Sequence, residues 1–136
     1  MKLLIDTNVI LDALMNRGTW ASSAHSLLVK IAEETVEGYV TANTITDLYY
    51  LLRKYFQDKS KAKQVLMDLT ESIKILDVNS KDCERAFTLD VSDFEDALII
   101  SCAVRHNIDY IVTRNLVDFK NSLVKSIETS AILLKI

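Results

Sequence analysis

Lys2-Leu3-Leu4-Ile5-Asp6-Thr7-Asn8-Val9-Ile10-Leu11-Asp12-Ala13-Leu14 opens as a short apolar run, stops at an acid, and passes without a turn into helical spacing. Lys2 to Ile5 reads as a strand. Val9, Ile10, Ala13 and Leu14 then recur at the interval of one helix face. A buried strand leading straight into an amphipathic helix is the start of a strand–helix–strand unit. It also puts Asp6 at the strand's carboxyl end, beyond which open α/β sheets bind their ligands.

The same alternation continues outward from this segment. Asn16-Arg17-Gly18-Thr19 forms a turn. Ala24, Leu27, Leu28, Ile31 and Ala32 mark a second helix ending near Gly38, and Tyr39 to Thr41 is a second strand. Ile45 to Phe56 is a strongly apolar helix, and Lys61 to Ile73 a more exposed one. Lys74 to Val78 is a third strand, and Ser80 opens a helix to about Leu89. Ser92-Asp93-Phe94-Glu95 has the form of a capping box, so a helix starts there and carries Ala97, Leu98, Ile100, Ser101 and Val104. Tyr110 to Thr113 is a fourth strand and Leu123 to Ile127 a fifth, followed by a short terminal helix. This pattern predicts an α/β fold: a three-layer α/β/α sandwich around a mostly parallel sheet of four or five strands, with right-handed crossovers. A chain of 136 residues with no proline, two glycines and neither linker nor repeat reads as a single domain over residues 1–136.

Composition narrows the function. Apolar residues make up 49% of the chain, enough for a sizeable core. The net charge of −3 and a pI near 5.3 argue against holding nucleic acid by bulk positive charge. They leave room for a metal-dependent enzyme, whose cations supply positive charge locally while carboxylates hold them. No segment approaches the roughly 20 apolar residues of a membrane span. The apolar run after Lys2 is too short for a secretory signal core, and the expected location is cytoplasmic, with no membrane partner. Cys83 and Cys102 form no CxxC and lie at no zinc-ligand spacing from His25 or His106, so they read as buried free thiols.

The acids that follow strands or open helices form the candidate site. Asp6 follows the first strand. Asp47 lies in the first turn of the helix after the second. Asp93 and Asp96, three residues apart, share a face of the helix leading to the fourth strand. Asn115 and Asp118 follow that strand. Each acid alone could be a helix cap, a dipole partner or a turn residue. Together they would meet at one rim of a parallel sheet. Carboxylates gathered this way repel one another unless a cation sits among them, and hard divalent cations take oxygen ligands.

Three segments resemble the PIN-domain nucleases, in particular the VapC-like toxins of prokaryotic toxin–antitoxin pairs. They are Leu4-Ile5-Asp6-Thr7-Asn8-Val9-Ile10-Leu11-Asp12, Asp96-Ala97-Leu98-Ile99-Ile100-Ser101-Cys102-Ala103, and Tyr110-Ile111-Val112-Thr113-Arg114-Asn115-Leu116-Val117-Asp118-Phe119. The resemblance spans essentially the whole chain. It implies Mg²⁺- or Mn²⁺-dependent cleavage of RNA, an antitoxin protein as partner, and a homodimer. By position it makes Asp6, Asp47, Asp96 and Asp118 the catalytic, metal-binding acids. Asp47 matches an acid that is usually glutamate and is one methylene shorter. Asn115 stands where many members carry aspartate. Asp93 becomes a supporting acid, and Thr7, Asn8, Thr113, Arg114 and Asn115 candidates for contacts to metal-bound water or phosphate.

Other groups have a default structural reading. Arg53, Lys54, Lys59, Lys61 and Lys63 read as a solvated helix face before a phosphate track. Trp20 reads as a staple onto the next helix, with stacking on an unpaired base as the other reading. Tyr49, Tyr50 and Tyr55 read as core or dimer contacts. The Asp47 and Asn115 departures keep open a second function, a catalytically degenerate PIN domain binding nucleic acid or protein. A third, a receiver-like signalling domain, would need Asp77 as its phosphoacceptor.

Overall fold

The computed structural model describes residues 1–136. Its strands are β1 (Lys2–Ile5), β2 (Glu37–Thr41), β3 (Lys74–Leu76), β4 (Tyr110–Val112) and β5 (Lys125–Ile127). The helices are α1 (Thr7–Leu14), α2 (Ala21–Ala32), α3 (Ala42–Phe56), α4 (Lys59–Leu69), α5 (Ser80–Ala86), α6 (Phe94–Arg105) and α7 (Thr129–Leu133), with a 3₁₀ turn at Gly18–Trp20. All four strand pairings are parallel, in the order β3-β2-β1-β4-β5. The expected four or five mostly parallel strands are therefore five, without exception parallel.

The period-2 alternation of strand side chains divides the core in two. Leu3, Ile5, Val40 and Val112 face α1–α4 and α7 in one cluster, with Ile10, Leu27, Leu48 and Leu52 fully buried among them. Leu4, Tyr39, Leu76 and Ile111 face the other way, onto Ile100, Cys102 and Ala103 of α6. Each fully buried Leu or Ile contributes about 1.5–3 kcal/mol of apolar transfer, so both faces are firmly covered. Edge strand β3 pairs only with β2, in the register Tyr39↔Lys74 to Thr41↔Leu76. The receiver reading fails here. It requires the third strand inside the sheet, whereas Asp77 follows an edge strand and is paired to Arg105 at 3.0 Å.

Several boundaries move, each for a local reason. α2 stops at Ala32, because Glu34 turns left-handed at φ 58°; the chain then enters β2, which contains Gly38. Gly38 is needed for close approach rather than for termination: a Cβ there would lie 2.6 Å from Ile31 Cδ1. α4 begins at Lys59 and not Lys61, since Asp58 caps it by accepting from the Ser60 and Lys61 amides at 2.9 and 3.1 Å. It ends at Leu69, leaving Ile73 buried outside the helix. α5 ends at Ala86, short of Leu89. Asp93, not Ser92, caps α6. β3 and β5 lose their outer residues because their neighbours β2 and β4 end there.

Candidate metal centre

The ends of β1 and β4 are joined first by backbone. The Asp6 amide donates to the Val112 carbonyl at 2.9 Å. The Thr113 hydroxyl then donates to Asp6 Oδ2 at 2.8 Å and accepts from the Asn115 amide at 3.1 Å. Thr113 is 0% and Asp6 8% exposed, so this is a buried, fully used hydroxyl that fixes the carboxylate's orientation. The neighbouring wall comes from the start of α3. Thr41 caps it, accepting from the Thr44 amide at 3.2 Å, and the two hydroxyls meet at 3.1 Å. The opposite wall is the first turn of α6. Asp93 accepts from the Asp96 amide at 3.1 Å, which sets the turn carrying Glu95 and Asp96.

These walls enclose an open cavity of about 380 Å³. Asp6, Asp47, Glu95 and Asp96 line it with Thr7, Asn8, Thr41, Asn43, Thr44 and Asn115; Tyr50, Leu51, Leu98 and Ile99 form its apolar side. Burial pushes the Asp6 carboxyl above its ordinary 3.8, against the Thr113 hydrogen bond, the Thr7 amide and the Arg114 charge, while Asp118 adds to the upward push. Burial also raises Asp96, helped by the charges of Asp93, Asp6, Asp118 and Glu95, from 3.8 to about 7. Carboxylates from distant parts of the chain thus resist ionising together. A cation among them would reverse that resistance.

The donor set fits a hard divalent ion. Every polar group lining the cavity offers oxygen, and neither histidine nor cysteine lines it. No group of three or more His, Cys, Asp or Glu side chains is placed to hold a metal ion by itself.

The structure brings Asp6, Thr7, Asn8, Asp47, Asp96 and Asn115 of the expected residues to the cavity. Asp47 lies on exposed helix surface at its far wall. Asp118 does not line it, although its charge acts on both Asp6 and Asp96. Asn115 takes the lining position, with the Asp118 amide bonded to its carbonyl at 3.0 Å. Thr113 stands behind Asp6, and Asp93 behind Asp96. Arg114 turns toward Asp12, 3.6 Å away. Trp20 is 51% exposed and belongs to neither apolar cluster, contrary to the expected staple. Tyr49 packs on the core, but Tyr50 and Tyr55 are exposed and Tyr50 lines the cavity. Arg53 lies over Tyr50 and Lys61 over Phe56, as expected of a solvated helix face. Sequence reasoning missed Glu95, whose position beside Asp96 was the available signal. It also missed Thr41 and Thr44, whose cap spacing was visible but gave no hint of a cavity.

A parallel α/β sheet with oxygen donors from separate crossovers at one carboxyl rim defines an α/β protein with a candidate divalent-cation site. The chain belongs to the PIN domain family, whose profile matches residues 2–117. No curated protein matches it in sequence. Its fold is similar to that of VapBC2 from Rickettsia felis, solved bound to a DNA fragment from its promoter: TM-score 0.74 and 20% identity over 94% of this chain and 98% of that one. DNA-bound VapBC from Salmonella typhimurium gives 0.72 and 15% over 95% and 98%. The Mycobacterium tuberculosis toxin VapC20, described as cleaving the sarcin–ricin loop, gives 0.63 and 13% over 80% and 86%.

Proposed function

We propose that this chain is a Mg²⁺- or Mn²⁺-dependent endoribonuclease and the toxin of a toxin–antitoxin pair. The observation that carries the reading is the meeting of Asp6 and Asp96, distant in sequence, in one oxygen-lined cavity where the charge of Asp6 adds to the resistance of Asp96 to ionisation. When bound, the cation supplies an acidified water and offsets charge building on the phosphate. Asp6 and Asp96 would hold that ion. Thr113 keeps the Asp6 carboxylate turned to its task. Asp47, exposed on α3, and Asn115 line the same cavity and would meet the ion's waters. Asp118 reinforces the negative field that draws the cation in. No covalent nucleophile from the protein is needed.

The toxin role rests on family membership and on the similarity to VapBC complexes. Tyr50, Leu51 and Tyr55 of α3 and Met67 of α4 are exposed apolar groups suited to an antitoxin or to a second copy in a homodimer. No helix is long and apolar enough to cross a membrane.

The test is cleavage of a structured RNA by purified protein in Mn²⁺, beside an EDTA control and the variants Asp6→Asn and Asp96→Asn. Each substitution is expected to lower the rate more than about a hundredfold, beyond the effect of losing a supporting residue. Wild type and variants behaving alike would overturn the catalytic reading. That no three His, Cys, Asp or Glu side chains are placed to hold a metal ion favours the alternative, a non-catalytic binding module, and the same assay decides between them.

A further inference from the structure

Asp12 is 1% exposed and lies on α1, one turn and more beyond Asp6. Two arginines converge on the same oxygen: Arg17 Nε at 3.0 Å and Arg114 Nη2 at 3.6 Å. Arg17 is otherwise committed, donating to the Asn8 carbonyl at 2.9 Å and reaching Asn8 Oδ1 at 3.4 Å. Arg114 is not. Its guanidinium rests over the Trp20 ring, 4.3 Å from the centroid, and its side chain makes no hydrogen bond within the protein. The guanidinium is thus held by its face and by the 3.6 Å ion pair of Nη2 with Asp12, which leaves the N–H groups of Nε and Nη1 without a partner and open to an anion. The Arg114 charge also acts on Asp6, drawing its carboxyl down against burial. Arg114 therefore stands next to the acid site with donors to spare. Trp20, half-exposed on the 3₁₀ turn that Gly18 opens at φ 54°, extends the same rim with an aromatic surface.

We propose that Trp20 and Arg114 form a nucleotide subsite for single-stranded RNA. An unpaired base stacks on the part of the half-exposed Trp20 ring that Arg114 leaves uncovered, while Arg114 takes a phosphate beside the one to be cut. This deepens the proposed nuclease reading and rests on it. A net charge of −3 argues against holding RNA through a general basic surface. One fixed arginine paired with a stacking platform gives a local grip and selects unpaired over duplex substrate, whose bases are not available for stacking. Asp12 is a positioning residue here: it aims Arg114 without touching RNA.

Trp20 is the only tryptophan, so its fluorescence reports the subsite directly. Asp96→Asn protein in Mg²⁺, expected to bind without cutting, is titrated with a short single-stranded RNA, the same length made abasic, and a duplex. A fluorophore on each RNA measures binding separately. Quenching by the single strand, strongly reduced for the abasic and duplex forms and in Arg114→Ala, is the expected result. In catalytic assays of otherwise wild-type protein, Trp20→Leu should lower kcat/KM about tenfold, mostly through KM. Trp20→Phe should restore part of the loss, and Arg114→Lys should not match arginine. Bound RNA that leaves Trp20 unquenched, or an abasic strand that quenches equally, overturns the subsite. The nuclease reading survives either result, because it is tested separately by cleavage in Mn²⁺ beside Asp6→Asn and Asp96→Asn. RNA that does not bind at all overturns the subsite as well.

Discussion

Thr113 is the residue on which the candidate site turns, although it does not line the cavity. Its hydroxyl joins Asp6 Oδ2 at 2.8 Å to the Asn115 amide at 3.1 Å, so one buried atom sets both the first acid and the last motif. Thr113→Val keeps the shape and removes the atom. Activity in Mn²⁺ should fall about ten- to a hundredfold, as for other partners of metal-site groups, with a higher Mn²⁺ requirement; Thr113→Ser should recover most of it. Equal Mn²⁺ titration curves for Val and wild type would show that Asp6 needs no such support. At this scale the sequence was readable where position follows from local pattern. Asp6 ends a strand and Asp96 sits in a helix's first turn, and both reach the cavity. Asn115 and Asp118 were not separable, because they lie in an aperiodic loop. Which of them lines the cavity depends on a turn closed by the Asp118 amide on the Asn115 carbonyl. The Asp12–Arg114–Trp20 contact was out of reach for the same reason. It joins residues far apart in sequence through side-chain directions that spacing does not encode.

Elements explain why the acids meet and where the fold is intolerant. α2 crosses the sheet at Gly38, and a Cβ there would sit 2.6, 2.8 and 3.0 Å from Ile31 Cδ1, Cγ2 and Cγ1. Because Ile31 is β-branched and stiff at χ1, Gly38→Ala should cost about 1–3 kcal/mol by overpacking, measured by urea unfolding. Adding Ile31→Ala should recover part of that loss; a strictly additive double variant would place the strain elsewhere. α5 and α6 are tied by Arg105, whose Nε meets Asp82 Oδ1 at 2.8 Å with Nη2 on Asp82 Oδ2 at 3.0 Å. Burial alone would raise the Asp82 carboxyl, but the Arg105 bonds and the Asn79 amide hold it below its ordinary 3.8. A depressed carboxyl contributes stability above its unfolded value and loses it as pH falls through the folded one. Wild type should therefore lose stability between about pH 4 and the lower folded value. Arg105→Gln should be less stable at pH 7, by about 3–5 kcal/mol if the charge is left buried and unpaired, with a flatter acid limb. Equal slopes would remove this pair as the source. The strands and helices themselves were legible because period 2 and period 3.6 are local. Their ends were not, since β3 and β5 stop where β2 and β4 stop and pairing partners cannot be read from one segment.

For the whole molecule, the parallel α/β class followed from alternation alone, whereas the order β3-β2-β1-β4-β5 did not, because sequence neighbours do not announce which edge a strand joins. That order puts β1 at the centre with β4 beside it, and so forces Asp6 and its acidic neighbours together at one rim. The fold consequently carries an electrostatic penalty at its own candidate site. Asp96 rises from 3.8 to about 7 on folding, chiefly through burial and then through Asp93, Asp6, Asp118 and Glu95. A raised carboxyl works in the opposite sense to Asp82. Below its unfolded value it is protonated in both states and costs nothing; the penalty grows as pH climbs through the interval and levels off above about 7. In EDTA at pH 8, Asp96→Asn should therefore melt a few degrees above wild type, and the gap should close as the pH is lowered toward 4. Mn²⁺ should then raise the wild-type melting temperature and leave the variant nearly unmoved, since only a ligand that binds the folded state stabilises it. An Asp96→Asn protein that melts below wild type in EDTA would mean the acids are held apart by something other than repulsion. A Mn²⁺ shift of equal size in both proteins would mean the ion binds elsewhere.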